Sequence, residues 1–269
     1  MKKSLLKMGV GSLSILAAAL VLVPTASAQE ASSVTAAATA SASESSVNIG
    51  LTTDYRYRGI SQTRLKPALQ GGADWSQPAT GVYAGAWLST IQWIKDTPGA
   101  GSTPIEADIY AGKKGQLNKD FSYDVGVLGY VYLNNQLDKA GLKDANTLEL
   151  YGQLNFGPAY LKYSHAVTPL FGIVDSKNSA YVDAGANLEV APTYTLNLHV
   201  GYQKVSGIND SAATYTDYKL GLSKELQPGL VLSGALVGTN ADRAFYASPV
   251  NGKFMGKRAL VVSLVKTFN

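Results

Sequence analysis

From Val47 onward the chain alternates apolar and polar side chains with a period of two. Val47, Ile49, Leu51, Thr53, Tyr55 and Tyr57 share one parity; Asn48, Gly50, Thr52, Asp54, Arg56 and Arg58 share the other. Successive side chains of a strand point to opposite faces, so the pattern predicts a strand between two different media. It recurs to the C-terminus and predicts strands at 47–57, 67–77, 81–93, 105–115, 121–133, 146–156, 159–167, 179–190, 194–205, 214–226, 230–239 and 257–268. Most are longer than the ~5–6 residues of an ordinary globular strand. They meet the ~9–11 residues that a tilted membrane-spanning strand needs.

The connections sort by length. Pro78 to Thr80, Gln116 to Asp120, Gly157-Pro158, Ala191 to Thr193 and Gln227 to Gly229 are short; 58–66, 94–104, 134–145, 168–178, 206–213 and 240–256 are long. The two kinds alternate, as in an up-and-down barrel with short periplasmic turns and longer extracellular loops. Apolar parity also places Trp75, Phe121, Phe156, Tyr194 and Phe268 near short-turn ends. Tyr55, Tyr57, Tyr163, Tyr202 and Tyr218 fall near long-loop ends, which predicts two aromatic belts at headgroup depth. The expected fold class is therefore all-β: a transmembrane up-and-down antiparallel β-barrel of twelve strands over 47–269. A secreted soluble sandwich or lipocalin-like barrel is the rival, but it would bury the many carboxylates of the polar face at large cost. Both faces are partly apolar in 81–93 and 257–268, so their parity stays open.

The N-terminus bears on where such a barrel would lie. Lys2, Lys3 and Lys7 precede an apolar stretch from Val10 to Val23, followed by Ala26-Ser27-Ala28. That layout predicts a signal peptide over 1–28, removed on export. Residues 29–46 are almost all Ala, Ser and Thr, too poor in bulky apolar groups to offset the entropy of ordering, and predict a flexible periplasmic leader. No later run approaches the ~20 apolar residues of a spanning helix.

Charge and residue chemistry narrow the classes further. The chain has 23 basic and 19 acidic side chains; three bases lie in the predicted signal, leaving 20 − 19 = +1, so nucleic acid is not an expected partner. Cysteine is absent, which excludes disulfides, thiol catalysis and cysteine-ligated metal. The two histidines, His165 and His199, are not paired with a serine by any motif, so no catalytic residues, metal or cofactor are expected.

Taking the polar parity as inward, the acids are Asp54, Asp74, Glu106, Asp108, Asp124, Glu149, Asp183, Glu189, Asp217 and Glu225. The bases on the same faces are Arg56, Arg58, Lys114, Lys162 and Lys219, and His199 joins them near mid-strand. Ten acids against five bases predict a negative lumen and a mild cation preference, with Arg56 and Arg58 near the outer mouth.

The runs DYRYRGISQT (54–63), PALQGGADW (67–75), GVYAGAW (81–87), EADIYAG (106–112) and YDVGVLGYVY (123–132) resemble the TorF family of porins. The resemblance covers roughly 47–269, with Asp54 to Gln62 its most specific block. It implies an outer-membrane location and a channel role, and no catalytic residues. The combined expectation is a porin or channel for small polar or ionic solutes. Its partners would be outer-membrane lipid, lipopolysaccharide and the barrel-assembly machinery, with the oligomeric state open. The alternatives are a closed barrel with a structural or loop-binding role and, further off, an outer-membrane hydrolase.

Overall fold

The computed structural model describes residues 43–207 and 210–269. The predicted signal peptide and most of the predicted leader lie outside them. Fourteen strands form among the described residues: β1 (Glu44–Thr52), β2 (Arg56–Tyr57), β3 (Ile60–Ser61), β4 (Ala68–Gln77), β5 (Val82–Thr90), β6 (Ile105–Gln116), β7 (Phe121–Val131), β8 (Thr147–Phe156), β9 (Ala159–Ala166), β10 (Ala180–Ala191), β11 (Tyr194–Lys204), β12 (Tyr215–Gln227), β13 (Leu230–Thr239) and β14 (Ala259–Phe268). All but β2 and β3 join one closed antiparallel barrel, in which β4 to β14 follow chain order and β1 closes the ring between β14 and β4. The predicted twelve-stranded meander is the observed one.

Barrel closure gives the alternation its meaning. One parity faces out and is apolar: Leu198, Leu220, Leu236 and Leu260 are exposed and lie side by side in register across β11 to β14. A closed barrel leaves no unpaired sheet edge, which is what a strand fold in hydrocarbon requires. Trp75, Phe156 and Phe268 point outward at the short-turn end, where Phe121 and Phe156 pair with ring centroids 5.0 Å apart. Tyr163, Tyr202 and Tyr218 point outward at the opposite end. The parities left open are now settled: β5 turns Tyr83 and Ser89 inward and Leu88 outward, and β14 turns Val265 inward and Leu260 and Leu264 outward.

The structure departs from the expected boundaries by more than two residues at three places. β1 begins at Glu44, inside the predicted leader, because Glu44 to Ser46 pair with Asp74 to Ser76 of β4. It ends at Thr52 rather than at Tyr57: Thr53 N–H still bonds Val262 O, and the chain then turns into the barrel. The predicted long-loop belt thus loses Tyr55 and Tyr57, which are buried, at 1% and 9% exposure. The third departure is in β5, which stops at Thr90. Ile91 and Ile94 beyond it are fully buried and pack in one cluster with Tyr55, Ala100, Tyr132 and Leu137, so the long loops form an apolar cap over the lumen.

Several inward glycines make room for tyrosine rings lying flat along the wall. A Cβ on Gly126 would sit 2.5 Å from the Tyr151 hydroxyl and 2.6 Å from the Ala111 carbonyl; on Gly85 it would sit 2.5 Å from the Tyr110 ring. Gly126→Val should expel Tyr151 from its place and destabilise the folded barrel by about 1–3 kcal/mol, the usual range for overpacking. Gly234→Val is the control, since a Cβ there meets nothing within 4 Å. Urea titration in lipid vesicles separates the two; equal midpoints would show that the glycine is not needed for the ring.

Candidate functional site: a lumen closed by an inward loop

The inward faces gather acids and tyrosines on β4 to β12, and smaller side chains on β13 and β14. Glu106, Asp108, Asp124, Glu149, Asp183 and Asp217 are all nearly inaccessible. A carboxylate taken from water needs donors in return. Tyrosine supplies most of them here. Glu106 accepts from Tyr55 and, at 2.6 Å, from Tyr132. Asp124 accepts from Tyr83, whose hydroxyl also bonds Tyr151. Tyr110 donates to Asp74 at 2.5 Å, and Tyr160 to Asp183 at 3.1 Å. Asp108 is the exception, with no donor on either oxygen among the described residues.

Residues 53–67 descend from the long-loop end into this interior, carrying the short β2–β3 hairpin, which pairs only with itself. The loop is held by backbone bonds, from Ser61 N–H to Met255 O and from Gln92 N–H to Gln62 O, and by side chains. Arg58 Nη2 donates to both oxygens of Glu149 at 3.0 and 2.7 Å, and Nη1 donates to Gln203 Oε1 at 2.5 Å. The same guanidinium lies over the rings of Tyr181 and Tyr57, at 4.2 and 4.7 Å from their centroids. Tyr57 and Tyr130 share a hydrogen bond of 2.6 Å between their hydroxyls. Within the loop, Asp54 accepts from Arg56 Nε at 2.6 Å and from Ser61 at 2.5 Å. Arg56 Nη1 reaches the carbonyls of Gly59, Met255 and Lys257, tying the loop to the segment before β14.

His199 is held on both sides. Its Nδ1 lies 2.8 Å from Asp183 Oδ1 and its Nε2 2.7 Å from Asp217 Oδ1. With ionised carboxylates, both contacts are hydrogen bonds only when both ring nitrogens carry hydrogen, that is, as imidazolium. Tyr181 also donates to Asp217, at 2.9 Å. His165 instead faces outward, in contact with Tyr163 and Asn178.

The expected inward set is thus brought together in part. Glu106, Asp108, Asp124, Glu149, Asp183, His199 and Asp217 share the interior with Asp54, Arg56 and Arg58. Arg56 and Arg58 are not at an open outer mouth; they are buried in the inward loop, because their charges are matched by acids inside the barrel. Lys162 is half-buried, with its ammonium 4.2 Å from the Tyr151 ring centroid. Asp74, Lys114 and Glu225 are half-buried toward the short-turn end, and Glu189 is exposed there, away from the loop. Sequence reading missed the inward tyrosines. The signal was present: Tyr110, Tyr130, Tyr151 and Tyr181 lie on the same parity as Asp108, Asp124, Glu149 and Asp183.

A cavity of about 50 Å³ lies between the loop and the wall formed by β1 and β11 to β14. Arg56, Arg58, His199, Asp217, Lys219 and Ser233 are among the residues around it.

The same barrel occurs in solved outer-membrane proteins. The KdgM porin is 9% identical, with a TM-score of 0.51 over 83% of this chain and 98% of that one. The COG4313 outer membrane channel from Pseudomonas putida F1 is 12% identical, with a TM-score of 0.50 over 83% of this chain and 95% of that one. At such identities the likeness is one of fold. No curated protein matches the chain in sequence. A family model described as "Bacterial protein of unknown function (Gcw_chp)" matches residues 36–268, and the chain belongs to that family.

Proposed function

We propose that this protein is an outer-membrane channel for small polar or ionic solutes, and that loop 53–67 is the element that closes it. One observation carries the reading: a closed barrel with an apolar outside and a charged, tyrosine-lined inside is obstructed by a segment that never joins the barrel sheet. Side-chain contacts and a few backbone bonds to Met255, Gln92 and Trp93 hold that segment, and they can be exchanged without breaking the wall. The TorF-like motifs support the same role, since Asp54 to Gln62, their most specific block, is the closing loop itself. A barrel of this kind would be exported by way of the predicted signal peptide, inserted by the assembly machinery and surrounded by lipid and lipopolysaccharide. Solutes are expected as its cargo; among proteins of the same fold, the KdgM porin is described in complex with disordered oligogalacturonate.

A mild cation preference rests on the surplus of ten inward acids over five bases. The residues around the remaining opening have a different balance, with Arg56, Arg58 and Lys219 beside Asp54 and Asp217. The alternative is a permanently closed barrel that binds through its loops, and its support is the apolar cap over the lumen. Planar bilayers distinguish the two. Discrete current steps from protein shown to be folded are the expected result, whereas a silent bilayer would leave the closed barrel as the better account.

A further inference from the structure

On the outside of the barrel, at its long-loop end, β12 to β14 hold a cation against a tyrosine. Tyr218 faces Gly238 across the β12–β13 pair. The β13–β14 register, continued one step beyond Val237 and Ala259, sets Gly238 opposite Arg258. A Cβ on Gly238 would sit 2.5 Å from the Tyr218 hydroxyl, so the glycine lets the ring lie across β13. There the hydroxyl accepts from Arg258 Nε at 3.0 Å, with the guanidinium 5.9 Å from the ring centroid. Arg258 is exposed, and its Nη1 and Nη2 donate to no acceptor among the described residues. The Tyr218 hydroxyl hydrogen has no acceptor among them either. No acid lies nearby in the chain: Arg243, Lys253, Lys257 and Arg258 succeed one another, and residues 243–269 contain no Asp or Glu. Below Arg258, on the same outward parity of β14, stand Leu260, Val262 and Leu264, all exposed.

We propose that Arg258 and Tyr218 bind a phosphate of lipopolysaccharide in the outer leaflet, with its acyl chains lying along the leucine face below. Depth is the first argument. Tyr163, Tyr202 and Tyr218 form the outward row at the long-loop end, where lipid headgroups meet a barrel. Donor geometry is the second. With Nε fixed by the tyrosine, the guanidinium presents its two terminal nitrogens as a planar fork, and the hydroxyl adds a third donor; phosphate oxygens match such a set. The third is charge: Lys253 and Lys257, both exposed in the segment leading to Arg258, raise the local potential without a carboxylate to offset them. A zwitterionic phospholipid brings its own ammonium to its phosphate, whereas the phosphates of lipopolysaccharide do not. The site rests on the outer-membrane reading above and is independent of whether the barrel conducts.

Native mass spectrometry of the folded barrel tests the site. The probes are lipid A with both phosphates and the same lipid stripped of them, without divalent cations. The wild type should retain the phosphorylated lipid at least about tenfold more strongly, as loss of a charge-assisted pair implies. Arg258→Gln should abolish that preference. Tyr218→Phe, which keeps the charge and drops the hydroxyl, should lower it about threefold, the worth of one ordinary hydrogen bond. Lys139→Gln, at an exposed lysine in the loop between β7 and β8, should leave it unchanged. Equal retention of the two lipids by the wild type, or an undiminished preference in Arg258→Gln, overturns the proposal. Flotation with lipid vesicles checks the membrane reading separately. A barrel that fails to float removes both readings; one that floats without telling the two lipids apart removes the site alone.

Discussion

Arg58→Ala should undock the inward loop and turn a closed or rarely conducting barrel into one that passes sustained current. The substitution removes three side-chain hydrogen bonds, two to Glu149 and one to Gln203, and leaves the Glu149 carboxylate in a site where it is 2% exposed. Breaking a buried ion pair from one side costs about 3–5 kcal/mol, chiefly because the remaining charge has no partner. The docked arrangement bears that cost, and the barrel wall does not depend on it. At about 1.4 kcal/mol per tenfold, the balance between docked and undocked loop should move by a factor on the order of 10²–10⁴. Open probability in planar bilayers is the readout. The pair Arg58→Ala with Glu149→Gln should recover much of the closure, because the stranded charge is gone. If Arg58→Ala folds and its currents match the wild type, loop 53–67 is not the closing element.

Leu220→Arg should be the most damaging single change on the outer surface. Leu220 lies near the middle of β12, is about half exposed, and sits in register between Leu198 and Leu236. In water that exposure would make the position tolerant. At the middle of a bilayer an arginine on the lipid face of a barrel costs about 2–4 kcal/mol. Leu142→Arg, in the long loop between β7 and β8, carries the same chemical change on a surface that meets water. It should cost under about 0.5 kcal/mol, as exposed substitutions commonly do. Denaturant titration in lipid vesicles compares them, and equal stability of the two variants would mean that the leucine row does not face hydrocarbon.

The strands were legible in the sequence because their information is local. A period of two needs only neighbouring residues, and it marks a strand between unlike media wherever it lies. Short turns such as Gly157-Pro158 were legible for the same reason, and their alternation with long loops implied antiparallel neighbours and a closed meander. Inward parity was legible too: Asp108, Asp124, Glu149, Asp183 and Asp217 are inside, as expected.

Alternation could not show where β1 stops. Asp54 to Arg58 continue the period of two beyond Thr52, and tyrosine satisfies either reading, because its ring suits a lipid interface and its hydroxyl suits a buried carboxylate. Only the tertiary structure decided for Tyr55 and Tyr57, by bringing Glu106 and Tyr130 within reach of their hydroxyls. The charge balance was decided at the same level. A count of ten acids and five bases treats each group as independent, whereas closure of the barrel sets Arg58 against Glu149, 91 positions along the chain, and His199 between Asp183 and Asp217. Partners across a lumen are set by strand order and register, and no local pattern carries either. The sequence by itself therefore determined a membrane barrel with a polar interior; the folded chain determined which charges cancel, which loop fills the lumen, and what space is left.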